Sequence, residues 1–168
     1  MKRFLCMTGA LLAAAVAAAQ NLWPEQPVCD MNGRVRRVAD YANEKGCTLL
    51  VFWKTCCPNN IAMLDELYDA WSECRDRERV RIVLVSVDDQ RTAGRVRPVV
   101  GSSGWGWEVV MDRNRELARS YHAVVPPQWI ALDRSGKEIF RCKITRGATD
   151  SELYFDKLIS IIDKLEEK

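Results

Sequence analysis

The residues with the clearest chemical potential lie in one short stretch, Lys54-Thr55-Cys56-Cys57-Pro58-Asn59-Asn60. An unbroken apolar run, Thr48-Leu49-Leu50-Val51-Phe52-Trp53, precedes it. Such a run predicts a central strand covered on both faces. After it, Leu64, Leu67, Tyr68, Trp71 and Cys74 recur at helical spacing and predict an amphipathic helix over 58–75. Proline suits the first helical turn, where its missing N–H costs nothing. Cys57 is therefore expected at a helix N-terminus, where unpaired N–H groups and the macrodipole favour the thiolate and make it nucleophilic. The competing reading is a small buried hydrophobe. Strand, proline and helix together favour the reactive one.

The remaining elements alternate between strand and helix, the pattern of an α/β sheet. Arg81 to Val87 and Gln128 to Leu132 repeat the apolar strand pattern. The turn Asp133-Arg134-Ser135-Gly136 leads into Lys137 to Ile144, where Phe140, Cys142 and Ile144 share one face, so a hairpin with a half-exposed outer strand is expected. A short helix is expected over 114–121, with Leu117, Ala118 and Tyr121 inward. The last helix opens with Thr149-x-x-Glu152, a capping box, and carries Tyr154, Leu158, Ile161 and Leu165. Between Asp88 and Gly106, Pro98 and several glycines predict a broken helix and a loop, not a second domain.

Residues 1–19 read as a secretory signal: Lys2 and Arg3 are positive, Phe4 to Ala18 is apolar, and Ala17-Ala18-Ala19 fits the small-x-small cleavage rule. The apolar run is shorter than the ~20 residues of a spanning helix. A soluble, exported mature chain is expected, periplasmic or secreted, with residues 20–28 as an extended lead-in and 29–168 as one domain. Without Lys2 and Arg3 the basic and acidic residues are equal in number, 23 each. That balance points to neither nucleic acid nor an anionic membrane as partner, and no stable membrane insertion is expected. Of the seven cysteines, Cys6 leaves with the leader. An oxidising compartment then invites disulfides among Cys29, Cys47, Cys56, Cys57, Cys74 and Cys142, with many pairings open.

The stretch Phe52-Trp53-Lys54-Thr55-Cys56-Cys57-Pro58-Asn59-Asn60 resembles, in register, the Phe-Trp-x-x-Trp-Cys-Pro-x-Cys signature of the thioredoxin-like superfamily, in its exported TlpA/ResA branch. Val85-Ser86-Val87-Asp88 and Val109-Val110-Met111-Asp112 resemble its later strand ends. Val125-Pro126-Pro127-Gln128 resembles the stretch holding its cis-proline. The resemblance covers roughly residues 24–168. It implies a central mixed β-sheet with helices on both faces, thiol–disulfide exchange, Pro127 as cis-proline and Pro126 as the backbone contact to a bound peptide. No cofactor is implied, and the partner implied is another exported protein carrying a disulfide or thiol.

The departures carry the functional question. Asn60 stands where the family's resolving cysteine stands, Cys56 replaces a tryptophan, and Val51 occupies the strand position of a buried carboxylate. Three readings remain. Cys57 acts alone as a monothiol or isomerase-like nucleophile, released by the partner's own second thiol. Cys56 resolves instead, through a strained bond between neighbours whose Cα atoms are about 3.8 Å apart. Or the domain has lost turnover and binds a peptide or protein in the groove beside Pro127. The first is expected.

Other candidates have plainer readings. Cys74 and Cys142 are expected as buried core thiols, while Cys29 and Cys47 could form a structural disulfide. His122, the single histidine, could complete a soft copper site with Cys56 and Cys57. Copper-delivery relatives carry Cys-x-x-x-Cys-Pro, however, and Trp53 holds the first position, so no metal is expected. Lys54 stands where peroxiredoxin chemistry needs threonine. Trp129 is expected in the core, Trp105 and Trp107 in a loop of unassigned place, and Arg91, Arg95 and Arg97 on a solvated face.

Overall fold

The computed structural model describes residues 22–143 and 151–167. The leader over 1–19, Ile144 and the Thr149 half of the capping box lie outside the described residues. Strand β1 (Val28–Asp30) and β2 (Val35–Arg36) form a small hairpin, followed by β3 (Cys47–Trp53), α1 (Pro58–Glu73) and β4 (Val80–Ser86). Then come α2 (Val96–Ser103), β5 (Glu108–Met111), α3 (Glu116–Ser120), β6 (Gln128–Leu132), β7 (Glu138–Lys143) and α4 (Ser151–Glu166). The seven strands form one mixed sheet in the order β2-β1-β5-β4-β3-β6-β7. Strands β3, β4 and β5 are parallel, and β6 runs antiparallel to β3 and β7 antiparallel to β6 at the other side.

Alternation along the buried strands divides the core into two layers. Leu49, Val51 and Trp53 of β3 face α1, α2 and α4, meeting Leu64, Leu67, Val100, Phe155 and Leu158. Leu50 and Phe52 face the opposite side, where Leu117 and Ala118 of α3 and the 3₁₀ turn at Val38–Tyr41 cover them. An apolar run without polar gaps therefore means two covered faces, the usual state of parallel strands. The mixed sheet with helices on both faces is the expected fold class.

The stretch after Asp88 is a broken helix and a loop, as expected: a 3₁₀ turn at Ala93–Arg95 runs into α2, with Pro98 in its first turn. Proline is tolerated there because no intrahelical acceptor awaits its nitrogen. Gly104 ends α2 in the left-handed region at φ 73°, a conformation costly for residues with a Cβ. On α4 the buried stripe is Phe155, Leu158 and Ile162, with Leu165 43% exposed, so the inward face is rotated relative to the expected Tyr154-Leu158-Ile161-Leu165. The lead-in is fastened at the far hairpin, where Trp23 Nε1 donates to the Arg134 carbonyl at 3.2 Å.

The Cys29–Cys47 disulfide that the sequence left open is not formed; both thiols are free. Strands β5 and β4 lie between β1 and β3. Three strand spacings separate the chains by about 14 Å, well beyond the ~7 Å Cα limit for a disulfide. Cys74 is not a core thiol either: it caps the C-terminus of α1, half-buried at the rim of a groove against α4. Cys142 is half-buried against the core beside Trp129.

Candidate active site

The parallel strands β3, β4 and β5 end level with one another, Trp53 opposite Ser86 and Ser86 opposite Met111. Two further bonds extend this level: Val87 N–H donates to the Trp53 carbonyl at 3.0 Å, and Asp112 N–H to the Ser86 carbonyl at 2.8 Å. Antiparallel β6 starts at the same end, with Gln128 opposite Phe52. The cysteine turn and the Pro126–Pro127 segment, 74 residues apart at Trp53 and Pro127 by their numbers, thus share one edge of the sheet. The Pro126–Pro127 peptide bond is cis.

Cys57 is the N-cap of α1, in extended conformation, with Pro58 at the first helical position. No acidic residue lies in the first turn, so the field of the helix N-terminus is not offset locally. The Cys57 carbonyl accepts the Asn60 N–H at 2.9 Å, closing the first turn. The Cys57 side chain is half-buried and Cys56 is exposed. Asn59 is exposed.

Asn60 is 1% exposed. Its Nδ2 donates to the Lys54 carbonyl at 3.2 Å, while its buried Oδ1 has no partner. The side chain therefore ties the helix start back to the turn, in the place where a second thiol would otherwise stand. Trp53 is fully buried beneath and meets Trp105 edge-on, ring centres 5.8 Å apart. Trp105 in turn donates from Nε1 to Asp65 of α1 at 2.9 Å. Trp107 packs against Tyr68 and Trp71. These tryptophans brace α1 rather than line an open ligand site.

One group was missed in the sequence. Asp88 is fully buried just beyond β4. Its carboxylate accepts the Thr55 N–H at 2.9 Å, the Thr55 hydroxyl at 2.7 Å and the Ser86 hydroxyl at 3.0 Å. A buried carboxylate does serve this site, then, but from β4 and toward the turn backbone, while Val51 stays in the apolar core. The available signal was Val-Asp-Asp directly after a strand, beside a threonine in the cysteine turn. Asp112, also buried, caps α3 by accepting the Leu117 and Ala118 N–H groups at 3.2 and 2.8 Å.

His122 is exposed on the α3–β6 connection at φ 53°. Among the described residues, no three His, Cys, Asp or Glu side chains come together as metal ligands.

A family model described as AhpC/TSA matches residues 19–141, most of the chain. The chain belongs to the AhpC/TSA family. Solved structures show that this AhpC/TSA chain has a thioredoxin-like fold. It is similar to an uncharacterized thioredoxin-like protein from Porphyromonas gingivalis, at 21% identity and TM-score 0.71, over 86% of this chain and 94% of that one. It is similar to a secreted disulfide oxidoreductase of Mycobacterium tuberculosis, at 13% identity and TM-score 0.65, over 80% and 95%. A third likeness is to the thioredoxin domain of a thiol-disulfide oxidoreductase from Bacteroides vulgatus, at 18% identity and TM-score 0.63, over 86% and 98%. No curated protein matches the sequence. Among the described residues, no helix of this AhpC/TSA chain is long and apolar enough to cross a membrane.

Proposed function

We propose that this AhpC/TSA-family chain performs thiol–disulfide exchange through Cys57 alone, as an exported protein of the TlpA/ResA-like branch. The observation that carries the reading is the pairing of positions at the start of α1. A half-buried thiol stands at the N-cap, and a buried asparagine, hydrogen-bonded to the turn, stands three residues on. The first group can attack and the second cannot resolve.

In the proposed step the Cys57 thiolate attacks one sulfur of a partner's disulfide. A new Cys57–partner S–S bond forms, the partner's S–S bond breaks, and the electron pair leaves with the departing sulfur, which takes a proton from water. The partner is both oxidant and substrate. Another of the partner's thiols attacks the mixed disulfide and restores Cys57, so the net change is a rearranged partner disulfide, whereas attack by the same released sulfur only reverses the first step. Pro126 and Pro127, at the same edge of the sheet, serve as the backbone contact for the partner strand. Cys56 is a poor resolving group, because a bond between adjacent residues falls below the usual Cα range of about 4.4–6.8 Å.

Export is part of the same reading. Lys2-Arg3, the apolar Phe4 to Ala18 and Ala17-Ala18-Ala19 support removal of residues 1–19, leaving a mature chain in the periplasm or outside the cell. The oxidising compartment supplies disulfide substrates.

The test compares Cys57→Ser and Cys56→Ser by alkylation rate against pH and by trapping of mixed disulfides in an extract of exported proteins. The expected result is fast alkylation near neutral pH and trapped partners in Cys56→Ser, with both lost in Cys57→Ser. Ordinary alkylation with no trapped partner would leave a redox-inactive binding domain. A Cys56–Cys57 bond in the monomer would instead restore Cys56 as resolving thiol.

A further inference from the structure

Overall neutrality conceals an uneven distribution of charge. The loops leaving the level ends of β3, β4 and β5 carry Lys54, Arg91, Arg95, Arg113 and Arg115, and α3 adds Arg119. The first loop after β4 folds back on itself, with Thr92 and Ala93 N–H groups on the Asp89 carbonyl, which keeps Arg91 and Arg95 at this end. Arg113 shares a small hollow with Gln90, Asn114, Asp112 and Glu116. Arg115 donates from Nη2 to the Val124 carbonyl at 3.3 Å, fastening this basic group to the Pro126–Pro127 segment.

None of these cations takes part in an ion pair among the described residues; six arginines elsewhere do, and Arg34, Arg75, Arg77 and Arg97 do not. Arg79 pairs with Asp163 and Glu166, Arg134 with Glu166, and Arg81 with Glu108, all toward the opposite end or flank of the sheet. Arg36 and Arg37 pair with Asp30 and Asp40 along the β1–β2 edge, and Arg141 with Glu138 on β7. Of the carboxylates at the cysteine end, Asp88, Asp112 and Asp89 are turned inward or occupied, while Glu116 of α3 is exposed among the arginines. Asp88 holds Thr55 and Ser86, Asp112 holds α3, and Asp89 accepts from Arg91 N–H and Thr92. Beside the basic groups, Val124 and Val125 are 60% and 57% exposed.

We infer that the cysteine end is a docking surface for an acidic polypeptide, one whose disulfide or thiol is flanked by carboxylates, with Val124 and Val125 meeting apolar side chains of the same segment. This rests on the exchange activity proposed for Cys57. Cations free of internal ion pairs bind an incoming carboxylate without first losing one. Complementary charge of this kind raises encounter rates and sets partner choice, and salt removes its effect.

The experiment uses the mature chain and two model peptide disulfides of equal length, the cysteine flanked by glutamates in one and lysines in the other. A neutral dipyridyl disulfide serves as reference. At about 20 mM salt the glutamate peptide should form the Cys57 mixed disulfide about tenfold faster than the lysine peptide, and the ratio should approach one by about 500 mM salt. Arg113→Glu combined with Arg119→Glu should lower the ratio several-fold. Lys45→Glu, an exposed change beyond the opposite end of β3, should leave it unchanged. Equal rates for the two peptides at low salt, or a ratio indifferent to salt, would overturn the acidic-partner inference while leaving the exchange reading intact. No reaction of Cys57 even with the neutral disulfide would overturn both.

Discussion

The carboxylate of Asp88 holds Thr55 by both its N–H and its hydroxyl, at 2.9 and 2.7 Å, two positions before Cys57. A residue at the end of β4 thereby positions the turn that delivers the nucleophile from the end of β3. Because Asp88 is fully buried, removing one of its donors leaves a buried acceptor short of partners.

Thr55→Val should therefore destabilise the protein by about 1–3 kcal/mol, and Asp88→Ala by at least as much. Urea unfolding checks the stability. The rate of Cys57 alkylation, compared with alkylation of the unfolded chain, checks the positioning. A variant that lost stability with no change in Cys57 reactivity would confine Asp88 to a purely structural role.

Asn60→Cys should install the missing half of a dithiol site. Side chains at the N-cap and at the third helical position reach toward one another, as reciprocal capping shows. Asn60 already turns back to the Lys54 carbonyl and leaves a buried Oδ1 unpaired, so its loss removes a poorly satisfied polar group. The expected product is a disulfide between Cys57 and the introduced thiol in the oxidised monomer, read as a mass loss of about 2 Da against the reduced form. Trapped mixed disulfides should become fewer, because the new thiol releases them.

Burial pushes the Cys47 thiol from the ordinary 9.0 up to about 12, with only partial relief from the nearby Arg79 charge. Burial likewise pushes Tyr121 from 10.0 up to about 12. Between about pH 9 and 12 the unfolded chain gives up these protons while the folded chain keeps them, so the unfolded state binds fewer and stability falls as pH rises. Melting temperature should be insensitive to these groups below pH 9 and should decline above it. Cys47→Ala should flatten the start of that decline, by at most ~1.4 kcal/mol per pH unit. Unchanged slopes would show that Cys47 ionises freely in the native protein.

The inward face of α4 is Phe155, Leu158 and Ile162. Leu158→Ala should cost about 2–5 kcal/mol through the cavity it opens. Leu165→Ala, on a residue 43% exposed, should cost under about 1 kcal/mol. Equal costs in thermal or urea unfolding would contradict this helical phase.

Sequence by itself determined the strand-turn-helix unit around Cys57, the central strands and the alternation of strand and helix. These are local: an apolar run, a proline and a helical periodicity are each set by a few neighbouring residues. The absence of a second thiol at Asn60 is equally plain from sequence. Tertiary structure alone decided which distant groups meet. Strand order placed β5 and β4 between Cys29 and Cys47 and so excluded their disulfide. The same level strand ends brought Asp88 to Thr55, and set scattered basic residues on loops at the cysteine end of a chain whose summed charge is near zero. Cys57 itself was found from its neighbours; what holds it, and what it faces, came from chain segments that only the closed sheet brings together.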